Sequence, residues 1–291
     1  MAALFHDSGR VRSGDVELHY HRFGRAGKTP IFIAHGLSYF SYDWIDVASA
    51  LAIDRIVVAA DTRGFGDSDW SPSKDYSVPT LANDIVAILD ALNWREAIVI
   101  GHSMSGRATS LAAANRPDRV TGLALIDYTP ENAPAGSRRV TESVAGQPDV
   151  FESVDAGMRY FGFDPGTPQG QAKRARFEAY LKPVPGGVQL KRDLFFRDQF
   201  RRVRDQGERP KLGVDMWEVM GRIRCPILSV RGTRSDMYAV ETADKMKAAN
   251  SRLRVVEVDA GHNIAVETHA GFLAAINPFI ASLEESARPT A

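Results

Sequence analysis

The feature that most constrains this chain is a serine that follows an apolar strand and precedes a helix. Residues 97–100 are apolar and mostly β-branched, and they lead directly into Gly101-His102-Ser103-Met104-Ser105-Gly106. The segment 107–114 that comes next has a helical composition. A tight strand–turn–helix junction would expose the Ser103 hydroxyl beside a helix N-terminus, where developing negative charge is favoured. The pattern therefore predicts a nucleophile elbow.

Short apolar runs alternate with helical patterns along most of the chain, which favours a mostly parallel sheet covered by helices on both faces. Residues 16–21 alternate apolar and polar side chains like an exposed antiparallel edge strand. The sequence further predicts near-continuous apolar strands at 31–34, 56–60, 97–100, 123–126, 227–230 and 253–258. The predicted fold class is α/β.

A section between two of these strands interrupts the alternation. Residues 131–221 contain no strong strand pattern, several turn signals and many arginines. Because the section lies between core strands, we expect it to pack over the sheet as a helical cap (lid) insertion. The predicted domains are therefore a core of residues 1–130 and 222–291 and a cap of residues 131–221.

Charge and cysteine content exclude several classes of partner. Lysines and arginines number 36 and so do aspartates and glutamates, which argues against a nucleic-acid partner. No apolar run is long enough to cross a membrane, and residues 1–7 lack the basic start of a signal peptide. The single cysteine, Cys225, is interpreted as an inert buried thiol. We expect a cytoplasmic protein with a small-molecule substrate, and a homodimer is compatible with these observations.

A serine needs an adjacent base, itself oriented by a third group, to act as a nucleophile. His262 follows the last predicted strand on a glycine-containing loop, at the sheet edge that the serine turn also reaches. Two acids, Asp127 and Asp236, follow strands that end at the same edge, and both precede His262 in the chain. The sequence pattern leaves the choice between them open.

An oxyanion hole is predicted from two backbone amides, that of Met104 and that of Leu37. Gly36 precedes Leu37 and permits the tight backbone that would aim its N–H inward. His35 is interpreted as structural or as shaping this loop. His102 should point into the fold.

These motifs together resemble the α/β-hydrolase superfamily over nearly the whole chain. They are His35-Gly36, residues 61–68, the elbow 101–106 and Gly261-His262. The resemblance implies an eight-stranded, mostly parallel sheet with a helical cap inserted after strand 6. It also implies hydrolysis without a metal or an organic cofactor.

Two departures from the superfamily pattern bear on the site. Most members carry the acid where this chain has Ser235, and Asp236 stands one residue later; one branch takes its acid from the earlier strand, as Asp127 would. Residues 107–118 and 126–130 resemble the bacterial 2-(acetamidomethylene)succinate hydrolases, so Asp127 is the preferred acid. Ser105 replaces the second glycine of G-x-S-x-G. In the cap, Arg139 and Arg159 are candidates to receive a substrate carboxylate, as arginines of that branch do.

The resulting hypothesis is a serine hydrolase that cleaves a small ester, amide or related acyl compound through an acyl-enzyme. Cleavage of a carbon–carbon bond by the same three residues is the alternative within enzymes, and a non-catalytic ligand receptor is the alternative outside them. A serine at position 103 disfavours epoxide hydrolysis and dehalogenation, which need a carboxylate nucleophile. The aromatic residues that could line an apolar pocket are Tyr39, Phe40, Trp44, Phe161, Phe195 and Trp217.

Overall fold

A single mixed sheet organises the molecule. The computed structural model describes residues 6–37 and 39–286. Within them the strands are β1 His6–Ser13, β2 Val16–Phe23, β3 Ile31–Ala34, β4 Val57–Ala60, β5 Ala97–His102, β6 Val120–Ile126, β7 Leu181–Val184, β8 Gly187–Leu190, β9 Ile227–Gly232 and β10 Leu253–Val258. Eight of these form the sheet in the order β1-β2-β4-β3-β5-β6-β9-β10. Within this described sheet, only the β1–β2 and β2–β4 pairings are antiparallel.

Helices cover both faces of this sheet. They are α1 Ile45–Leu51, α2 Val78–Ala91, α3 Ser105–Asn115, α4 Pro134–Ala145, α5 Val154–Tyr160, α6 Pro168–Gln171, α7 Arg174–Tyr180, α8 Leu194–Gln206, α9 Met216–Arg222, α10 Val240–Ala249, α11 Ile264–Glu267 and α12 His269–Ser286, with a 3₁₀ helix at Ser41–Trp44. One apolar layer lies between the sheet and α2, α3, α9 and α10, and the other lies under α1 and α12. Because both faces are buried, strands β3, β4 and β5 carry no exposed residue.

The insertion predicted after β6 is present. It contains α4 to α8 and the antiparallel hairpin β7–β8, and a third apolar cluster joins it to the loops of the sheet through Phe40, Phe65 and Phe196. Helix α9 packs instead into the apolar layer beside α3. The α/β fold class, the eight-stranded sheet and the insertion are confirmed, whereas the boundaries at residues 131 and 221 stay a prediction.

Two details of the predicted strands are wrong. The strand at 16–21 is antiparallel but lies inside the sheet, because β1, which was not predicted, forms the edge beside it. β1 is polar, and only Val11 and Ser13 are buried on it, so it shows no apolar alternation. The cap also contains the β7–β8 hairpin, which turns at Gly186 with a φ of 86°.

No helix in the described ranges combines the length and the apolar character that a membrane span requires. The interpretation of residues 1–7 concerns a segment of which residues 1–5 lie outside the described residues.

Candidate active site

Three side chains from distant parts of the chain, each a candidate catalytic residue in the sequence, meet at one edge of the sheet. Ser103 follows β5, Asp127 follows β6, and His262 lies on the loop after β10. These strands are parallel or share parallel neighbours, so their carboxyl ends lie together.

The three side chains form a continuous hydrogen-bonded chain. The Nε2 atom of His262 lies 2.8 Å from Ser103 Oγ, and its Nδ1 atom lies 2.6 Å from Asp127 Oδ2. The Asp127 side chain is fully buried, and that of His262 is 14% exposed. A buried carboxylate on Nδ1 holds the ring in the tautomer that leaves Nε2 free to accept the serine proton.

Local backbone geometry presents both Ser103 and Asp127. Ser103 has a φ of 51° and Asp127 a φ of 44°, both in the left-handed region that non-glycine residues rarely adopt. Gly106 lets α3 approach the strand end, because a Cβ there would lie 2.2 Å from Cγ of Tyr128. The strained turn therefore depends on a glycine at the second position of the helix.

The Asp127 carboxylate is fixed by two further donors. The Gly232 amide donates to its Oδ1 atom at 2.9 Å, and the Ser235 hydroxyl donates to Oδ2 at 2.5 Å. Among the described residues, Asp236 makes no hydrogen bond with His262; its two carboxylate oxygens accept hydrogen bonds from Arg139 at 2.6 and 2.8 Å. Arg139 holds the pKa of Asp236 below its usual value. The structure thus brings Asp127, and not Asp236, to the histidine.

The predicted oxyanion amides lie beside the serine. In the described part of the chain, neither the Leu37 nor the Met104 amide donates to a protein acceptor, and both residues line the cavity above Ser103. Gly36 is needed at this point because a Cβ on it would lie 2.7 Å from Nδ1 of His102. The Ser105 hydroxyl donates to the His35 carbonyl at 2.5 Å. The serine that replaces a glycine in the elbow therefore ties it to the Leu37 loop.

A cavity of about 590 Å³ opens over these groups. Its floor contains Ser103, Met104 and His262, and its roof is formed by cap residues from α4, α8 and the segment after α8. This volume is within the range of small-molecule sites. The arrangement can hold a small substrate with its reacting carbon beside Ser103.

Comparison with known proteins identifies the family to which the chain belongs. The sequence model of a family described as alpha/beta hydrolase fold matches residues 29–268. The chain belongs to the alpha/beta hydrolase fold family.

Two relatives of this hydrolase family span most of the chain. The 3-hydroxybutyrate-oligomer hydrolase of Cupriavidus necator is 32% identical over 259 residues, covering 84% of this chain and 86% of the relative. The 2-(acetamidomethylene)succinate hydrolase of Mesorhizobium japonicum is 29% identical over 276 residues, covering 94% and 95%. A crystal structure of E-2-(acetamidomethylene)succinate hydrolase superposes with a TM-score of 0.80 at 27% identity, covering 95% of this chain and all of that one.

Only some of the aromatic residues that were predicted to line an apolar pocket line this cavity. Tyr39 and Phe195 line it, but Phe40 and Trp44 are buried in the apolar clusters. Phe161 packs within the cap cluster, and Trp217 packs against the layer beside α3. Most aromatic residues at such spacing serve the core, as their burial here illustrates.

The two predicted arginines differ in position. Arg139 lines the cavity from α4, although Asp236 already engages its guanidinium. Arg159 lies on α5, is exposed and does not line the cavity, because the buried face of that helix is formed by Gly157 and Met158. The structure does not bring Arg159 to the site.

The other titratable residues noted in the sequence are structural in their contacts. Burial lowers the pKa of His102 to about 3, and its Nε2 atom lies 3.1 Å from the His262 carbonyl oxygen. His35 is buried and accepts a hydrogen bond from the Thr62 amide at 3.0 Å. Burial raises the pKa of the Cys225 thiol to about 12. His102 and His35 are therefore neutral groups beside the Ser103–His262 pair, whereas Cys225 lies before the start of β9, at the opposite edge of the sheet.

One group of potential metal ligands exists among the described residues. Atoms of His19, Asp61 and Asp67 lie within 4.8 Å of one another. Asp61 is already hydrogen-bonded to His19 at 2.9 Å and to the Ser41 amide at 2.8 Å, and Lys191 pairs with Asp67 at 2.7 Å. We therefore interpret the group as a brace for the loop after β4.

Sequence reasoning missed three residues around the site. Ser235 was noted only as a departure, although it binds the acid. Arg192 is a buried cap residue whose guanidinium donates to the Gln147 side chain and, at 3.5 Å, to the Leu37 carbonyl. Arg107 lines the cavity from α3. Its position in the first turn of the helix that follows the serine was a usable signal.

Proposed function

We propose that this hydrolase cleaves an ester, amide or related acyl bond in a small substrate, with Ser103 as nucleophile, His262 as base and Asp127 as acid. The observation that carries the proposal is the pair of short contacts on one imidazole, 2.8 Å to Ser103 Oγ and 2.6 Å to Asp127 Oδ2. The two relatives that span most of the chain are hydrolases by name, which supports the reaction class.

In the first half of the proposed reaction, Ser103 Oγ attacks the substrate carbonyl while His262 Nε2 takes its proton. The negative charge that develops on the carbonyl oxygen is stabilised by the Leu37 and Met104 amides. The imidazolium then gives its proton to the leaving alcohol or amine, and an acyl-serine remains.

In the second half, water attacks the acyl-serine with His262 again as base, and the acid product leaves with Ser103 restored. Asp127 stays ionised and stabilises the imidazolium at each transfer. Its hydrogen bonds to Gly232 and Ser235 keep the carboxylate aligned with the ring. No step consumes a redox equivalent.

The test replaces Ser103 with alanine. We expect p-nitrophenyl butyrate hydrolysis to fall by about 10⁴-fold or more, since removal of a serine nucleophile abolishes the acyl-enzyme route. Labelling by a fluorophosphonate should disappear, while the far-UV circular dichroism spectrum and the melting temperature should stay unchanged. The control is Ser251→Ala, at an exposed serine in the turn before β10.

Three results would contradict this proposal. Persistent labelling of Ser103→Ala would place the nucleophile elsewhere. A wild-type protein that gives neither a burst nor turnover with activated esters would be a ligand receptor. Preferential cleavage of β-diketones over esters would assign carbon–carbon hydrolysis to the same residues.

A further inference from the structure

The cavity of the proposed enzyme is lined by an excess of positive charge. The cationic residues in its lining are Lys74, Arg107, Arg139, Arg209 and Lys211, and the acidic ones are Asp75 and Asp127. Asp127 is engaged by His262, so its charge is committed to the imidazole. A cavity with this balance favours an anionic occupant.

Most of these cations already have a partner or face solvent. Lys74 pairs with Asp193 at 2.7 Å, and Arg139 pairs with Asp236. Arg209 donates to the Ser137 hydroxyl at 3.3 Å and, like Lys211, is exposed at the rim. Their charges are therefore balanced by carboxylates or solvated by water.

Arg107 differs from all of them. It is partly buried, and within residues 6–37 and 39–286 its guanidinium has no hydrogen bond and no ion pair. The titratable group that acts on its charge is Tyr128, whose pKa is raised by burial, so the phenol is neutral and cannot balance the charge. Burial lowers the pKa of Arg107, yet an arginine remains charged at neutral pH.

An unpaired guanidinium in the cavity that contains Ser103 favours the binding of a carboxylate. Withdrawing a charge from water without a partner is unfavourable, whereas a planar guanidinium binds a carboxylate through two parallel hydrogen bonds. Arg107 lies in the first turn of α3, four residues after Ser103, and both residues line the cavity. A carboxylate bound there would be a few bonds away from a carbonyl held at Ser103.

We propose that Arg107 is the carboxylate-binding residue of this site and that the substrate carries a carboxylate within a few bonds of the scissile carbonyl. The inference rests on the proposed function for the identity of the scissile bond, but the anion site itself does not depend on catalysis. It assigns recognition to the nucleophile helix and not to the cap arginines.

The kinetic test compares monoethyl with diethyl esters of succinate, glutarate and adipate. The wild type should have a higher kcat/KM for at least one monoester than for the matching diester. The carbon-chain length of the preferred monoester then indicates the distance between Ser103 and Arg107. Arg107→Met should lower kcat/KM for that monoester about ten- to hundredfold, as expected for a lost charge-assisted hydrogen bond, with little change for the diester. Arg107→Lys should restore part of the loss.

The matched control is Arg116→Met, at the other end of α3. Arg116 is remote from the cavity lining and pairs with Asp118 at 2.9 Å. This variant should leave both ester classes unchanged. A wild type without preference for any monoester, or an Arg107→Met variant that is folded and loses both classes equally, would overturn the proposal.

A binding measurement separates this inference from the proposed function. Ser103→Ala cannot turn over an ester, so binding of monoethyl and diethyl glutarate to it is followed by ligand-observed NMR. The monoester should bind more tightly, and the preference should fall with added salt and vanish in Ser103→Ala/Arg107→Met. Equal binding of the two esters to Ser103→Ala would refute the carboxylate site, whether or not the wild type hydrolyses esters and whether or not the double variant folds.

Discussion

The choice between Asp127 and Asp236 is made by single side chains. Ser103 and His262 were predictable because an elbow motif and a glycine–histidine loop have few other uses. The acid was not, since both aspartates follow strands that reach the same edge. What separates them is the left-handed backbone at Asp127, the donation from Ser235, and the capture of Asp236 by Arg139. None of these is visible in a spacing pattern.

A pair of amide substitutions checks this assignment. Asp127→Asn should lower kcat about 10⁴-fold, because an amide favours the wrong histidine tautomer. Asp236→Asn removes only a partly exposed ion pair, a contribution of at most about 1 kcal/mol, so turnover should change by less than about fivefold. The measurement is kcat with p-nitrophenyl butyrate. A larger loss in Asp236→Asn than in Asp127→Asn would move the acid to Asp236.

At the scale of elements, the apolar strands were predictable because burial on both faces leaves a clear pattern. The polar strand β1 and the β7–β8 hairpin were not, because they are stabilised by pairing with a neighbour more than by burial. The contacts that attach the cap to the rest of the protein could not be predicted from the sequence either. It relies on contacts such as Arg176 of α7 with Asp43 of the 3₁₀ helix, at 2.6 Å, where the aspartate side chain is 2% exposed.

This buried pair should behave as a unit. Asp43→Ala leaves the Arg176 charge without its partner and should destabilise the protein by about 3–5 kcal/mol, because an uncompensated buried charge is costly. The double variant Asp43→Ala/Arg176→Met should recover much of that loss. Urea unfolding of the wild type, both single variants and the double variant measures the coupling. Additive single effects would show that the pair does not hold the cap.

At the scale of the whole molecule, the fold class could be predicted from the alternation of strands and helices. The dependence of stability on pH could not, because it depends on the burial of individual histidines, which only the structure gives. His21, His35 and His102 all have pKa values lowered by burial. Each is therefore neutral in the folded protein at a pH where the unfolded chain binds a proton. The stability that these residues contribute is fully present at a pH above the ordinary pKa of histidine. It decreases as the pH falls below that pKa.

The size of this stability loss can be predicted for His102. Its pKa falls from 6.5 to about 3 on folding, so stability is lost progressively between these two values as the pH falls. At pH 5 the loss relative to pH 7 should be about 2 kcal/mol for this residue. His102→Gln lacks the effect, so the stability difference between wild type and variant should narrow by that amount from pH 7 to pH 5. A difference independent of pH would show that His102 titrates normally in the folded state.

The chain passes from Asp127 through residues 128–133 into α4, so the proposed acid lies only a few residues before the roof of the cavity begins. An exchange of the roof for that of a relative would consequently be safest if the donor segment were joined after Pro130 at one end and before α9 at the other. A junction placed closer to the sheet would disturb the imidazole partner together with the roof, and activity would be lost before any new specificity could be observed.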